Sequence, residues 1–271
     1  MSPAAVTECE RCRGTGFEVE VTKGRDGNDV ETARVCACRR LETGQSETIL
    51  LETLRIPPRY QHCSLSGFNP DESSSVKAAA LMKVMRYCRE YPSRGSKNSN
   101  DRGLGLLFTG SNGTGKTHLA VAALRELATS HGVRGQFWDY HELLREIRNS
   151  YDPATAFTEY EVLEPIISMD VLLMDDLGAW RMTDWMNDTL FYILNKRYLA
   201  TRPTLITTNY PDRDPTPREI AEVDTTIRRE YLVDRIGFRL RSRLLEGCAV
   251  IRLDGSDFRQ ASQEANQSLL A

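Results

Sequence analysis

One eight-residue segment, Gly110-Ser111-Asn112-Gly113-Thr114-Gly115-Lys116-Thr117, constrains this chain more than any other feature. It fits G-x-x-x-x-G-K-[ST], follows the apolar run 104–108, and opens an amphipathic stretch that begins at His118. A glycine-rich loop closing between a strand and a helix turns successive backbone N–H groups inward. The helix N-terminus adds favourable partial charge, so the loop is shaped to hold phosphate. In that placement Lys116 reaches the β- and γ-phosphates of ATP, the Thr117 hydroxyl binds Mg²⁺, and His118 follows as the last residue beside the nucleotide.

A loop of this kind needs a particular frame around it. Short apolar runs, LGLLF (104–108), GQFWDY (135–140), VLLMD (171–175), TLITT (204–208) and AVIRL (249–253), alternate with longer amphipathic stretches. That alternation predicts an α/β, three-layer P-loop fold with a parallel five-stranded sheet between helices. Pro57-Pro58 stops the periodic stretch before it. Three units are therefore expected: an amino-terminal module over 1–45, a helical linker over 46–58, and the ATPase domain over 59–271. No apolar run approaches the ~20 residues that span a bilayer, and the start of the chain has neither the basic nor the apolar part of a secretory signal. A cytoplasmic protein with no membrane partner is expected, its seven cysteines serving as thiols or metal ligands. A net charge of −3 argues against a broadly basic surface and leaves room for a local basic channel.

Triphosphate chemistry needs an acid at a neighbouring strand end, and VLLMDDLG supplies two. Asp175 is expected on the Mg²⁺ side. Asp176 is expected to polarise the attacking water with a side chain one methylene shorter than the glutamate more common there. TLITTN ends in Asn209, an amide able to orient water between the γ-phosphate and Asp176. In LVDRIGFRLRSRLLEG, Arg235, Arg239 and Arg243 recur every four residues, which predicts one cationic helix face beside an apolar row of Ile236, Leu240 and Leu244. Arg259 follows the last strand, within reach of the nucleotide of its own subunit.

Together these elements resemble the AAA+ superfamily, and within it the bacterial replicative helicase loaders of the DnaC/DnaI type and the related IstB-type transposition helpers. The resemblance covers roughly residues 50–260 and rests on IPPRYQHCSLSGF (56–68), the P-loop, VLLMDDLG, TTN, DRIGFRLRSR and an end shortly after SDFR. It implies little or no carboxy-terminal lid. It makes Lys116 and Thr117 the Walker A pair, Asp175 the Walker B carboxylate, Asn209 sensor 1, Arg239 the arginine finger with Arg235 beside it, and Arg259 the sensor 2 arginine. Loaders assemble in a spiral or ring and grip single-stranded DNA inside it. The matching segments carry Arg148 and Tyr151, and Thr183 and Trp185, as a cation for phosphate and aromatics for base stacking. Arg59 and Tyr60 are adenine-side candidates by position.

Cys9-x2-Cys12 and Cys36-x-Cys38 are spaced to close a four-thiolate Zn²⁺ site, with His62 or Cys63 as a substitute ligand. A structural metal would give the small amino-terminal module the cross-link its thin core requires. Cys88 and Cys248 read as core residues. The function expected is an ATP-dependent replication factor that loads a replicative helicase onto single-stranded DNA, the amino-terminal module touching the helicase. A transposition helper acting on duplex DNA, and a nucleotide-gated scaffold with negligible hydrolysis, share the same core.

Overall fold

The computed structural model describes residues 17–23, 29–35, 52–70, 75–94, 105–150, 159–213, 230–255, 257 and 258. It divides into two units, Met1–Glu52 and Thr53–Ala271. In the first, β1 (Phe17–Lys23) and β2 (Asp29–Val35) form an antiparallel hairpin whose register pairs Phe17 with Val35. Cys9, Cys12, Cys36 and Cys38 lie outside the described residues, as do residues 46–51 of the 46–58 linker.

The second unit is built on five parallel strands: β3 (Gly105–Thr109), β4 (Gly135–Asp139), β5 (Val171–Asp175), β6 (Thr204–Thr208) and β7 (Cys248–Arg252). Their order is β4-β5-β6-β3-β7. Three of them, β3, β5 and β6, are buried along their whole length, as expected where helices cover both faces of a parallel sheet. Strand periodicity then divides the core. Leu107, Leu172, Met174 and Ile206 point into one cluster with Leu143, Ile147, Leu190, Ile193, Ile236 and Leu240, which come from the helices on that face.

The opposite face carries α1 (Ser75–Arg94) and α2 (Lys116–His131), which pack on each other. Helix α2 is buried almost all round. Ala120, Ala122, Ala123 and Ala128 let it approach both the sheet and α1 closely, and Leu119, Leu124 and Leu127 fill the space between. On the first face lie α3 (Tyr140–Asn149), α4 (Glu159–Ser168), α5 (Asp184–Leu199) and α6 (Leu232–Gly247). The free edge of β4 is met by the segment before Pro57, where Leu54 and Ile56 are buried and the Leu54 carbonyl accepts from the Phe137 N–H at 2.8 Å. Among the described residues no helix is long and apolar enough to cross a membrane.

Two details depart from the sequence reading. Tyr140 begins α3 rather than ending β4, because Asp139 caps the helix by accepting from the His141 and Glu142 N–H groups. Helix α6 is broken at Gly237 (φ 74°, ψ 164°), a left-handed conformation that an L side chain rarely adopts. The arginine stripe therefore does not share one face: Arg235 precedes the break and Arg239 follows it.

Candidate ATP site

Strand order places the site. Because β6 lies between β3 and β5, the carboxy-terminal ends of all three converge: the P-loop after β3, the two acids at the end of β5, and Asn209 just past β6. Ligands in open α/β sheets bind at such carboxyl ends.

Gly115 (φ 96°) precedes α2, and the ring of Phe68 lies where its Cβ would stand, so the loop adopts its course only with glycine there. Lys116 is almost completely buried and its Nζ donates to the Ser111 carbonyl at 2.6 Å, bending the side chain back over the loop. The Thr114 hydroxyl donates to the same carbonyl at 2.9 Å. Gly110, Ser111, Asn112 and Gly113 complete the loop between β3 and α2. At the end of β7 the Leu253 N–H donates to Thr109 O, and farther on the Phe258 N–H donates to Gly113 O. The chain after β7 thus runs against the loop, while Arg259 itself lies outside the described residues.

Opposite the loop, the Thr117 hydroxyl donates to Asp175 Oδ1 at 2.9 Å and the Thr207 hydroxyl to the same oxygen at 2.5 Å. Asp175 is buried, and that burial pushes its carboxyl above the ordinary range against the opposing pull of the two hydroxyl donors; the Asp176 and Asp139 charges push the same way as burial. A hydroxyl paired with a buried, under-compensated carboxylate is a donor set suited to a divalent cation of the Mg²⁺ type. Asp176 takes a left-handed backbone (φ 58°), which aspartate tolerates better than most residues. Its N–H donates to Thr207 Oγ1 at 2.9 Å, and its Oδ1 accepts from Asn209 Nδ2 at 2.6 Å. Asp175, Asp176, Asn209, Lys116 and Thr117 are thus brought to one place. Sequence reasoning missed Thr207, which reaches Asp175 only because β6 pairs beside β5 in the sheet.

The arginines separate. Arg235 is 9% exposed in its side chain and spends its donors inside its own chain: Nε on Gly178 O at 2.7 Å, one terminal nitrogen on Ala179 O at 2.9 Å, the other on Glu230 Oε2 at 2.8 Å. Its guanidinium also lies over the Tyr210 ring. It holds the turn that follows Asp176 rather than facing outward. Arg239 is 69% exposed, lies over the Phe191 ring at 3.8 Å and approaches Asp188 at 3.8 Å, a surface pair worth little.

Of the DNA-contact candidates, Arg148 is exposed near the end of α3 and Tyr151 lies outside the described residues. Thr183 is the N-cap of α5, its hydroxyl accepting from Met186 N–H, and Trp185 packs half-buried against the core. The exposed aromatic here is Trp180, 59% accessible and stacked on His141 at 4.9 Å. Its backbone is fixed at both ends by the buried Tyr140 hydroxyl, which accepts from Trp180 N–H and donates to Trp180 O. Two tryptophans five residues apart were visible in the sequence; which of them packs inward was decided by α5. On the adenine side, Arg59 is exposed and Tyr60 rests 6.1 Å from Phe137. His118 donates from Nε2 to Ser64 O at 3.1 Å, and burial lowers its pKa.

A family model described as IstB-like ATP binding protein matches residues 99–265. The chain is 26% identical over 256 residues to the replicative helicase loader DnaI of Bacillus subtilis (strain 168), covering 93% of this chain and 77% of that protein. Among solved structures it is similar to a crystal structure of the DnaC helicase loader, with a TM-score of 0.57 and 28% identity over 73% of this chain and 99% of that one. It is also similar to a crystal structure of DnaI, with a TM-score of 0.52 and 26% identity over 74% and 93%. These likenesses agree with the three-layer P-loop architecture of AAA+ proteins seen here.

Proposed function

Since the chain belongs to the family of IstB-like ATP binding proteins, we propose that it is an ATPase that loads a replicative helicase onto single-stranded DNA, working in the cytoplasm. The observation that carries this reading is the reach of its likeness to DnaI. At 93% of the chain, that likeness leaves too few residues uncovered to exclude the amino-terminal unit, whereas the family model spans the ATPase core alone. A front end shared with a loader favours a dedicated helicase partner over a transposase.

In this reading 1–45 is a partner-binding module held by Zn²⁺ on Cys9, Cys12, Cys36 and Cys38, joined through 46–58 to the ATPase at 59–271. The β1–β2 hairpin supports it, because its register sets residues 17 and 35 side by side, and the two cysteine pairs flank that hairpin in sequence. Gly110, Ser111, Asn112, Gly113, Thr114, Gly115 and Lys116 hold the triphosphate, and His118 flanks them. Mg²⁺ on Thr117 and Asp175 would neutralise charge on the β- and γ-phosphates. Asp176 takes the proton of the attacking water, and Asn209, already bonded to Asp176, fixes that water's direction. Arg239, exposed and tethered only at the surface, acts on the nucleotide of the next subunit in a spiral or ring. Arg235 acts with it by holding the turn behind Asp176, and Arg259 approaches the nucleotide of its own subunit. Arg148, Tyr151 and Trp180 face single-stranded DNA. Thr183 and Trp185 support that surface by capping and seating α5.

The test is partner capture and turnover with the full chain in ATP and Mg²⁺. Recovery of a hexameric helicase, together with ATP turnover raised by single strands, is expected. Recovery of a transposase with a preference for duplex would select the transposition-helper reading instead. Turnover at background under every DNA condition would leave a nucleotide-gated scaffold.

A further inference from the structure

A second cluster of metal-binding side chains lies beside the P-loop, where His62 and Cys63, from a segment ahead of α1, meet His118 on α2. A ring nitrogen from each of His62 and His118 and the Cys63 sulfur all lie within 4.8 Å of one another. We propose that His62, Cys63 and His118 form a three-ligand site for a borderline-soft divalent ion, Zn²⁺ by chemistry, that ties the segment ahead of α1 to the first turn of the nucleotide-binding helix.

Three features argue for a built site. The first is the donor set. Two imidazoles and a thiol match Zn²⁺ and disfavour Mg²⁺, which takes oxygen ligands, so the ion that binds here is not the one at Thr117 and Asp175.

The second is preorganisation. Cys63 is 1% exposed, its N–H donates to Tyr60 O at 3.0 Å, and its carbonyl accepts from Arg125 at 3.3 Å. The turn just before it, Pro58–Tyr60, follows Pro57, and the Cys63 N–H is bonded to the last residue of that turn. His118 stands on α2, and since the Ser64 carbonyl only accepts, Nε2 carries the proton and the lone pair stays on the other ring nitrogen. A backbone carbonyl taking one ring N–H is the usual partner of a metal-bound histidine.

The third is spare motion where it is needed. Tetrahedral Zn²⁺ brings N and S ligand atoms to about 3.5 Å of one another, so the cluster must close by roughly 1 Å. Only His62 is exposed, its ring set edge-on to His118 with centroids 6.1 Å apart, and it is the side chain able to swing in. The fourth position remains open to water. Because Phe68 sits against Gly115, fixing 62–64 onto α2 also steadies the loop below.

The test uses the full chain carrying Cys9→Ser, Cys12→Ser, Cys36→Ser and Cys38→Ser, so that amino-terminal thiolates do not compete. Zn²⁺ is titrated against a chromophoric chelator, and Co²⁺ is added separately to read thiolate-to-metal charge transfer. One equivalent with a cobalt–thiolate band is expected. His62→Ala, at an exposed position that folding does not need, should weaken Zn²⁺ by more than the about 10–100-fold that loss of an outer-shell partner costs, and Cys63→Ser should erase the band. Zn²⁺ should raise the thermal midpoint of the chain with His62 intact and leave that of His62→Ala unmoved. Equal Zn²⁺ affinity with and without His62, or a band that survives Cys63→Ser, would overturn the proposal.

Discussion

Two buried charged residues show how this chain assigns stability and function to different side chains. Asp175 lies buried at the end of β5 with only hydroxyls for partners, and burial raises its pKa. The folded chain therefore binds a proton there more readily than the unfolded chain. The resulting penalty is absent below pH 3.8 and grows as pH rises through the raised folded value. Asp175→Asn should make the nucleotide-free protein more stable at neutral pH by on the order of 1 kcal/mol in urea unfolding, a gain that fades in acid, while Mg²⁺-dependent ATP binding is lost. A variant no more stable than its parent would contradict this account. Arg197 is the reverse case. It is fully buried, yet its nitrogens reach the carbonyls of Ile166, Met169 and Pro203 at 2.6–2.8 Å and the Thr204 hydroxyl at 3.0 Å. Burial lowers its pKa to about 9, still leaving it charged at neutral pH. Arg197→Met, similar in length, strands those acceptors and should cost about 3 kcal/mol, seen as a lower urea midpoint with nucleotide affinity unchanged once folded.

At the scale of elements, the break in α6 separates two jobs that one regular helix could not perform. Before Gly237, Arg235 faces inward and grips the Gly178 and Ala179 carbonyls; after it, Arg239 faces outward over Phe191. Gly237→Ala must accept φ 74° or straighten the helix, and a loss of about 1 kcal/mol is expected. The two arginines should differ sharply. Arg239→Ala, at a surface pair, should leave the unfolding midpoint and ATP affinity unchanged while lowering DNA-stimulated turnover by roughly 10³ or more. Arg235→Ala should lower stability as well as turnover, because the Asp176 turn loses its clamp. Equal effects of the two in thermal melts would show that the break divides nothing.

For the whole molecule, the site within one chain holds Lys116, Asp175, Asp176 and Asn209, while Arg239 stands on the surface. If turnover needs the arginine of a neighbour, Lys116→Ala and Arg239→Ala chains should each be inactive alone, and an equimolar mixture should recover measurable turnover, since mixed interfaces pair an intact loop with an intact arginine. Two silent variants that stay silent when mixed would place Arg239 in its own subunit's chemistry or outside it.

Much of this was legible in the residues themselves. The P-loop, the paired acids, TTN and the five apolar runs are local patterns, and each strand formed within a residue of where its own composition placed it, because period, glycine content and strand ends act over a few neighbours. What tertiary structure decided was every choice between equivalent local candidates. It determined which of two tryptophans packs against the core, which of two arginines turns inward across a helix break, and that Thr207 reaches Asp175 from the adjacent strand. It also brought His62 and Cys63 beside His118. These depend on strand order and on which helix covers which face, and pairings between residues far apart in the chain leave no mark on the sequence near either one.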